Sequence, residues 1–231
     1  MSAGLFITIE GGEGLGKSTL IQSLRDALPG LGIDPTDTVF TREPGGTKFC
    51  EAVRTVMLAD HGEYIPPLSE ALLMTAARAQ HVENLIRPAL EQGKLVICDR
   101  YMATTLAYQG NGREMDREFL LRLQKGFPVP TLTLLLDADP EVGFARMPTR
   151  GQADRMEKAG IEFFRRVREG FMEGSTDRRL SDRTQVINAN QSQEAMLADV
   201  IPHVTRLINV RNEILLRNSV QRDRAGASLN I

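Results

Sequence analysis

Apolar residues gather in short runs along this chain. Positions 5–9, 94–98 and 132–136 are largely apolar, 185–187 is a weaker run, and 39–41 is a shorter one ahead of Pro44-Gly45-Gly46. Runs of this length predict buried strands. A longer period fills the gaps. A helix is predicted over 18–28, directly after the first strand. Leu68, Leu72, Ala76, Ala79, Val82, Ile86 and Leu90 mark one face of a second helix, over 68–92, that ends near Gly93. Phe163, Val167 and Phe171 recur at four-residue spacing, and Met196, Val200, Val204, Leu207 and Ile208 make the apolar face of a final helix. Strands alternating with helices predict an α/β protein on a mostly parallel sheet. With no internal repeat and no Pro/Gly/Ser-rich linker, residues 1–217 are expected to be one domain, and the polar stretch 218–231 a flexible tail.

Composition narrows this little. The 231 residues are 42% hydrophobic and 25% charged, which suits a globular protein and not a disordered one. The formal net charge is −2, so no strong field draws the chain to nucleic acid or to an anionic membrane. No apolar run approaches the roughly 18 residues of a membrane span, and the first residues lack the basic start of a secretory leader. A cytoplasmic location is therefore expected. Cys50 and Cys98 are too few for a disulfide framework or a zinc cluster, and Cys98 reads as a small buried hydrophobe. Among the 28 basic residues only five are Lys. Base composition of the gene explains such a bias, but Arg is also the better fork for phosphate.

One segment carries specific chemistry. Gly11-Gly12-Glu13-Gly14-Leu15-Gly16-Lys17-Ser18 fits the pattern G-x-x-x-x-G-K-[ST], with a strand before it and a helix after it. Glycines let backbone N–H groups turn inward around a phosphate, and the helix aims its positive end at the same anion. Lys17 can reach the β- and γ-phosphates and Ser18 can place a hydroxyl on Mg²⁺. Asp99 ends the strand over 94–98, where a Mg²⁺-organising carboxylate sits in such proteins, and Arg100 follows it. No guanine-reading Asn/Thr-Lys-x-Asp sequence is present, which argues against a GTPase.

Five blocks together resemble the thymidylate kinase family of the bacterial kind. They are the stretch Ile9-Glu10-Gly11 through Ser18-Thr19, then Thr41-Arg42-Glu43-Pro44-Gly45-Gly46-Thr47, then Ala76-Ala77-Arg78-Ala79-Gln80-His81. Asp99-Arg100-Tyr101 with Ala107-Tyr108-Gln109-Gly110 is the fourth, and Arg150-Gly151 with Asp154-Arg155-Met156-Glu157 the fifth. The resemblance covers about 5–210. It implies a three-layer P-loop kinase fold, a five-stranded parallel sheet flanked by helices, with a short lid over 146–157. It implies transfer of the γ-phosphoryl group of ATP to dTMP, with Mg²⁺, in a homodimer.

The resemblance also implies roles. ATP is held by Gly11, Gly12, Glu13, Gly14, Leu15, Gly16, Lys17, Ser18 and Thr19, with Arg146 and Arg150 from the lid. Lys17, Asp99, Arg100, Arg146 and Arg150 carry the transfer, and Ser18 and Asp99 hold the metal. Arg155 is expected with the other lid arginines above ATP. For dTMP, Glu13 reaches the sugar 3′-hydroxyl, and Glu43 and a cis-Pro44 shape the acceptor-phosphate pocket. Arg54 and Arg100 grip the acceptor phosphate, although Arg54 read alone is a surface helix residue. Arg78 reads the thymine edge, with Thr104, Thr105 and Gln109 nearby, and Tyr108 packs under the deoxyribose. His61, His81 and His203 are expected to be structural or exposed, because transfer to a phosphate monoester needs no strong base.

Two departures surround the base. Met74 stands where the family usually has a stacking aromatic residue, and Thr104-Thr105 replaces a pair in which Ser is commoner. Phosphoryl transfer is therefore expected to be retained with altered base discrimination. The alternatives are a kinase for dUMP, a 5-modified dUMP or another deoxynucleotide, or a nucleotide-binding protein without turnover.

Overall fold

A computed structural model describes residues 4–147, 155–177 and 181–227. Five strands form one sheet: β1 (Leu5–Gly11), β2 (Thr38–Arg42), β3 (Leu95–Asp99), β4 (Leu132–Asp137) and β5 (Thr184–Asn188). Their order is β2-β3-β1-β4-β5, and every pairing is parallel. All five predicted strands are present. β1 is buried along its whole length and β3 at all but its last residue, because both faces of the sheet are covered. Parallel strands need crossovers, and these are helices: α1 (Lys17–Ala27), α2 (Lys48–Leu58), α3 (Pro67–His81), α4 (Arg87–Glu91), α5 (Met102–Thr105), α6 (Arg117–Leu123), α7 (Pro140–Arg146), α8 (Ile161–Thr176) and α9 (Gln193–Ala227).

One core layer joins the sheet to α1 and α9 through Leu20, Leu24, Met196, Val200, Val204 and Ile208. On the opposite face Phe6, Val82, Ile86, Val96 and Tyr101 interlock. Tyr108 meets Phe163, Phe164 and Phe171 edge-on at centroid distances of 6.0 to 6.2 Å. The helix expected over 68–92 is continuous but not uniform: a π-turn, Val82–Ile86, links α3 to α4. A second π segment, Leu106–Gly112, extends α5. The domain boundary expected at 217 falls inside α9, so residues 218–227, predicted as tail, continue that helix. Cys98 is buried in the sheet, as predicted. No helix among the described residues is long and apolar enough to cross a membrane.

The register sets the site. Ile9 lies beside Asp99, Arg42 beside Asp99, and Gly11 beside Leu136, so the carboxyl ends of four adjacent strands finish together. The crevice beyond those ends is where an open parallel sheet binds ligands.

Candidate active site

The loop after β1 is held by backbone contact. Gly14 has φ +67°, and a Cβ on it would lie 2.0 Å from the carbonyl oxygen of Gly143 in α7. A Cβ on Gly143 would in turn lie 2.2 Å from the carbonyl of Glu13. Only glycine at both positions lets the loop lie against α7. Lys17 opens α1 and donates Nζ to the carbonyls of Gly11 (3.2 Å) and Gly12. Burial, and then the neighbouring Arg100 charge, push its ammonium down to about 8 against the pull of Glu13, Asp99 and Glu10. Ser18 and Thr19 are exposed on the first turn of α1, and Leu15 is buried.

Arg100 follows β3 with φ +67°, a conformation that costs a non-glycine residue energy. Its side chain crosses to the loop, donating Nη1 to the Gly11 carbonyl (3.0 Å) and Nη2 to Glu13 Oε1 (2.7 Å). Tyr108 donates its hydroxyl to the same Glu13 oxygen at 2.8 Å, and the Arg100 guanidinium lies over the Tyr108 ring. Burial works against the Glu13 charge, but Arg100 and Lys17 outweigh it and hold the carboxyl down at about 2. The Glu13 charge in return holds Arg100 protonated in spite of its burial.

Next to this cluster opens a cleft of about 720 Å³. Glu13, Glu43, Pro44, Arg54, Met74, Arg100, Thr104, Tyr108 and Gln109 line it, all of them residues marked out in the sequence. Met57 and Leu58 at the end of α2, and Met156, line it as well. No sequence signal had set Met57 and Leu58 apart from ordinary core residues, and Met156 belongs to the fifth block, where no role in the cleft was expected of it. The Glu43–Pro44 peptide is cis. Arg54 donates Nη1 to the Pro44 carbonyl at 3.3 Å.

Two expected base-reading residues do not reach the cleft. Arg78 is 1% exposed and stands behind the wall. Its Nε bonds Glu43 Oε2 (2.7 Å), Nη1 bonds Thr105 Oγ1 (2.9 Å) and Gln124 Oε1 (2.6 Å), and Nη2 bonds the Tyr101 carbonyl (2.9 Å). A guanidinium has five N–H donors, and these partners engage most of them. Thr105 is buried with it. His81 is structural: it links Glu43 (3.0 Å) to Thr41 (2.7 Å).

Gln109 remains in the wall. Its Nε2 donates to Glu70 Oε1 at 2.7 Å, while its buried Oε1 has no partner among the described residues. Glu70 also receives Arg113 Nη2 (3.3 Å) and Arg155 Nη2 (2.8 Å). Burial opposes its charge, yet the Gln109 amide, Arg113 and Arg155 outweigh burial and hold its carboxyl below the ordinary range. Glu70, Met74 and Arg78 recur at four-residue spacing on α3, a helical-face pattern that could have singled out Glu70 in the sequence. Glu10 is a second buried carboxylate. It accepts from Thr104 Oγ1 at 2.6 Å, and burial pushes its carboxyl up to about 7 in spite of Thr104 and Arg100.

The expected lid arginines separate. Arg146 ends α7 and is tied to the Ala189 carbonyl, beyond β5, at 2.6 Å. Arg155 lies on the cleft side, not above the glycine loop: its Nε donates to the Met57 carbonyl at 3.0 Å and its Nη2 meets Glu70. Arg150, with Gly151 and Asp154 of the same block, lies outside the described residues.

Asp99 was expected to help hold Mg²⁺. Its Oδ1 is buried without a partner among the described residues, and its charge is felt at Lys17. Among the described residues no group of three or more His, Cys, Asp or Glu could hold a metal ion. Two oxygen donors, Asp99 and Ser18, suit Mg²⁺, which fills its other positions with water and substrate phosphate.

Comparison with known proteins gives one answer. The family model described as Thymidylate kinase matches residues 9–200. A thymidylate kinase of Caulobacter vibrioides is 42% identical over 203 residues, covering 87% of this chain and 95% of that protein. One of Deinococcus radiodurans is 48% identical over 176 residues, covering 75% of this chain and 84% of that protein. The crystal structure of thymidylate kinase from Ehrlichia chaffeensis superposes with a TM-score of 0.72 at 30% identity, over 87% of this chain and 99% of the other.

Proposed function

From the premise that this chain belongs to the thymidylate kinase family and transfers the γ-phosphoryl group of ATP to dTMP, we propose that the 720 Å³ cleft holds dTMP and that residues 11–19 hold ATP. The observation that carries this reading is the shared edge of the two sites. Arg100 touches the Gly11 carbonyl and the Glu13 carboxylate and also lines the cleft.

Transfer between two phosphates needs positioning and charge neutralisation more than covalent help. Lys17 turns from the loop carbonyls to the donor phosphates. Arg100 lies between donor and acceptor, and Arg54 supports the acceptor phosphate beside Pro44. When bound by Ser18 and Asp99, Mg²⁺ supplies charge to the donor phosphates. Arg150 is assigned as a further cation on the transferring group. Arg146 and Arg155 serve elsewhere, the first at Ala189 and the second at Glu70.

Glu13 accepts from the sugar 3′-hydroxyl, and the buried Tyr108 leaves no room for a 2′-hydroxyl. The base enters a slot walled by Met57, Met74 and Met156, whose thioethers adapt to ring substituents more readily than a stacking aromatic does. Gln109 faces it with an amide oxygen able to accept the N3–H of thymine or uracil. On this reading dUMP and 5-substituted dUMP compete with dTMP. Turnover of dTMP, dUMP, 5-hydroxymethyl-dUMP and deoxynucleosides, followed by ADP release, tests both parts. Turnover of dTMP with dUMP close behind is expected. A dTMP preference of several orders of magnitude removes the relaxed slot, and binding without turnover removes the kinase.

The chain is further proposed to act as a cytoplasmic homodimer. Phe49 and Val56 of α2 and Leu68 and Leu72 of α3 are about half exposed, an apolar patch on two packed helices. Sedimentation of the full chain at two charge variants, Leu72→Glu and Val56→Glu, reads this directly, and dissociation is expected.

A further inference from the structure

Behind the wall of the cleft, against Gln109, lies a buried carboxylate that no step above uses. Glu70 is 1% exposed, and its two oxygens are divided between neighbours of different kind. Oε1 takes the Gln109 amide nitrogen at 2.7 Å, and Oε2 takes the Arg155 guanidinium at 2.8 Å. Arg113 spans both oxygens, at 3.4 and 3.3 Å.

An ionised carboxylate only accepts hydrogen bonds. The Gln109 amide beside it must therefore present its NH₂ to Glu70 and its carbonyl oxygen the other way. That oxygen has no partner among the described residues, although Gln109 is 2% exposed and lines the cleft. A buried acceptor left open is costly unless a ligand completes it. The polarity of Gln109 is thus not its own property, since an amide by itself can offer either end.

We propose that Glu70 is a positioning residue for base recognition: it fixes the Gln109 amide so that the cleft offers an acceptor, which selects pyrimidine monophosphates bearing N3–H over cytosine, whose N3 is itself an acceptor. This rests on the cleft being the acceptor site. Arg155 makes the arrangement conditional on the segment after residue 154, because it bridges Glu70 to the Met57 carbonyl at 3.0 Å.

The test is Glu70→Gln, assayed on dTMP and dCMP. The Nη2 groups of Arg155 and Arg113, both on Oε2, keep an oxygen of the new side chain there against the single long contact of Arg113 Nε at Oε1, which turns its NH₂ toward Gln109. Gln109 then rotates and offers its own NH₂ to the cleft. The ratio of kcat/KM for dCMP to that for dTMP is expected to rise at least about tenfold, mainly through a higher KM for dTMP. Glu70→Asp, still an acceptor only, should keep the wild-type ratio. Should Glu70→Gln fail to fold, the Gln109 side-chain amide of the wild-type enzyme is read by ¹⁵N NMR, assigned by its loss in Gln109→Leu. Slow exchange of its protons is expected, and a freely rotating, solvent-exchanging amide overturns the proposal. So does a folded Glu70→Gln variant with an unchanged ratio. Absence of dTMP turnover in the wild type would instead remove the kinase reading itself.

Discussion

On the proposed assignment, the phosphate end of the site is built around residues 11–18 in one stretch, whereas the base end collects cleft residues from 57 to 156. The first is a backbone device, pinned by a glycine-to-glycine contact with α7 and closed by two cations, Lys17 and Arg100. The second is a side-chain device, with three thioethers, one open amide oxygen and a carboxylate network behind it. Phosphates are alike in every nucleotide, so a local loop with fixed charge suffices. Telling one base from another needs donors and acceptors whose direction is fixed, and fixing direction takes partners from other elements. The contrast teaches where each end can vary: the phosphate end has almost no freedom, while the base end can be retuned one side chain at a time.

The largest effect tests this division at the phosphate end. Lys17→Met should lower kcat/KM with ATP about a thousandfold, while calorimetric dTMP binding changes less than about twofold, as expected where the removed contact is not shared. An equal loss on both sides breaks the division. The same ammonium gives a pH test. Its pKa of about 8 means it is charged below that pH and neutral above it. For the free enzyme, kcat/KM for ATP should therefore fall as pH rises through about 8, and the fall should be absent in Lys17→Arg.

Glu10 lies beneath both ends, bonded to Thr104 and close to Arg100. Its carboxyl rises from 4.5 to about 7 on folding, chiefly through burial. A raised pKa means the folded state favours the neutral form. The stabilisation is complete below about pH 4.5 and is lost as pH rises through about 7, at a cost of about 3 kcal/mol. Glu10→Gln should then raise Tm at pH 8 and leave it nearly unchanged at pH 4.5. An equal shift at both values would place the effect in packing and not in charge.

The smallest effect is at the base end. Met74→Phe should favour dTMP over 5-hydroxymethyl-dUMP about threefold by restoring a ring face in the slot, with kcat on dTMP little changed. A large loss of kcat would show that the slot also positions the acceptor phosphate, and would merge the two ends.

Much of this was legible in the sequence. The period of the apolar residues predicted all five strands and the main helices, because burial on both faces of a parallel sheet leaves uninterrupted runs. The glycine loop was legible because its chemistry is contained in neighbouring residues. Arg78 and Arg155 show where reading stopped. Both were expected over a ligand. One is consumed by Glu43, Thr105, Gln124 and the Tyr101 carbonyl, and the other by Glu70 and the Met57 carbonyl. A long cation finds the best buried partner within reach, and that partner can be any distance away in the chain. Glu70 was missed for the same reason, since a lone Glu on a helix reads as solvated.

By itself, then, the sequence determined the α/β architecture, the glycine loop with the phosphate-binding pattern, and most of the residues from which the cleft is drawn, Met57 and Leu58 excepted. Hydrophobic period and backbone geometry act over a few residues and need no distant partner. Only the tertiary structure decided which of those residues line the cleft and which brace the others, that Gln109 turns an unpartnered oxygen away from Glu70, and that Arg155 lies on the cleft side. Those outcomes depend on competition among buried donors and acceptors, and the competitors meet only once the chain is folded.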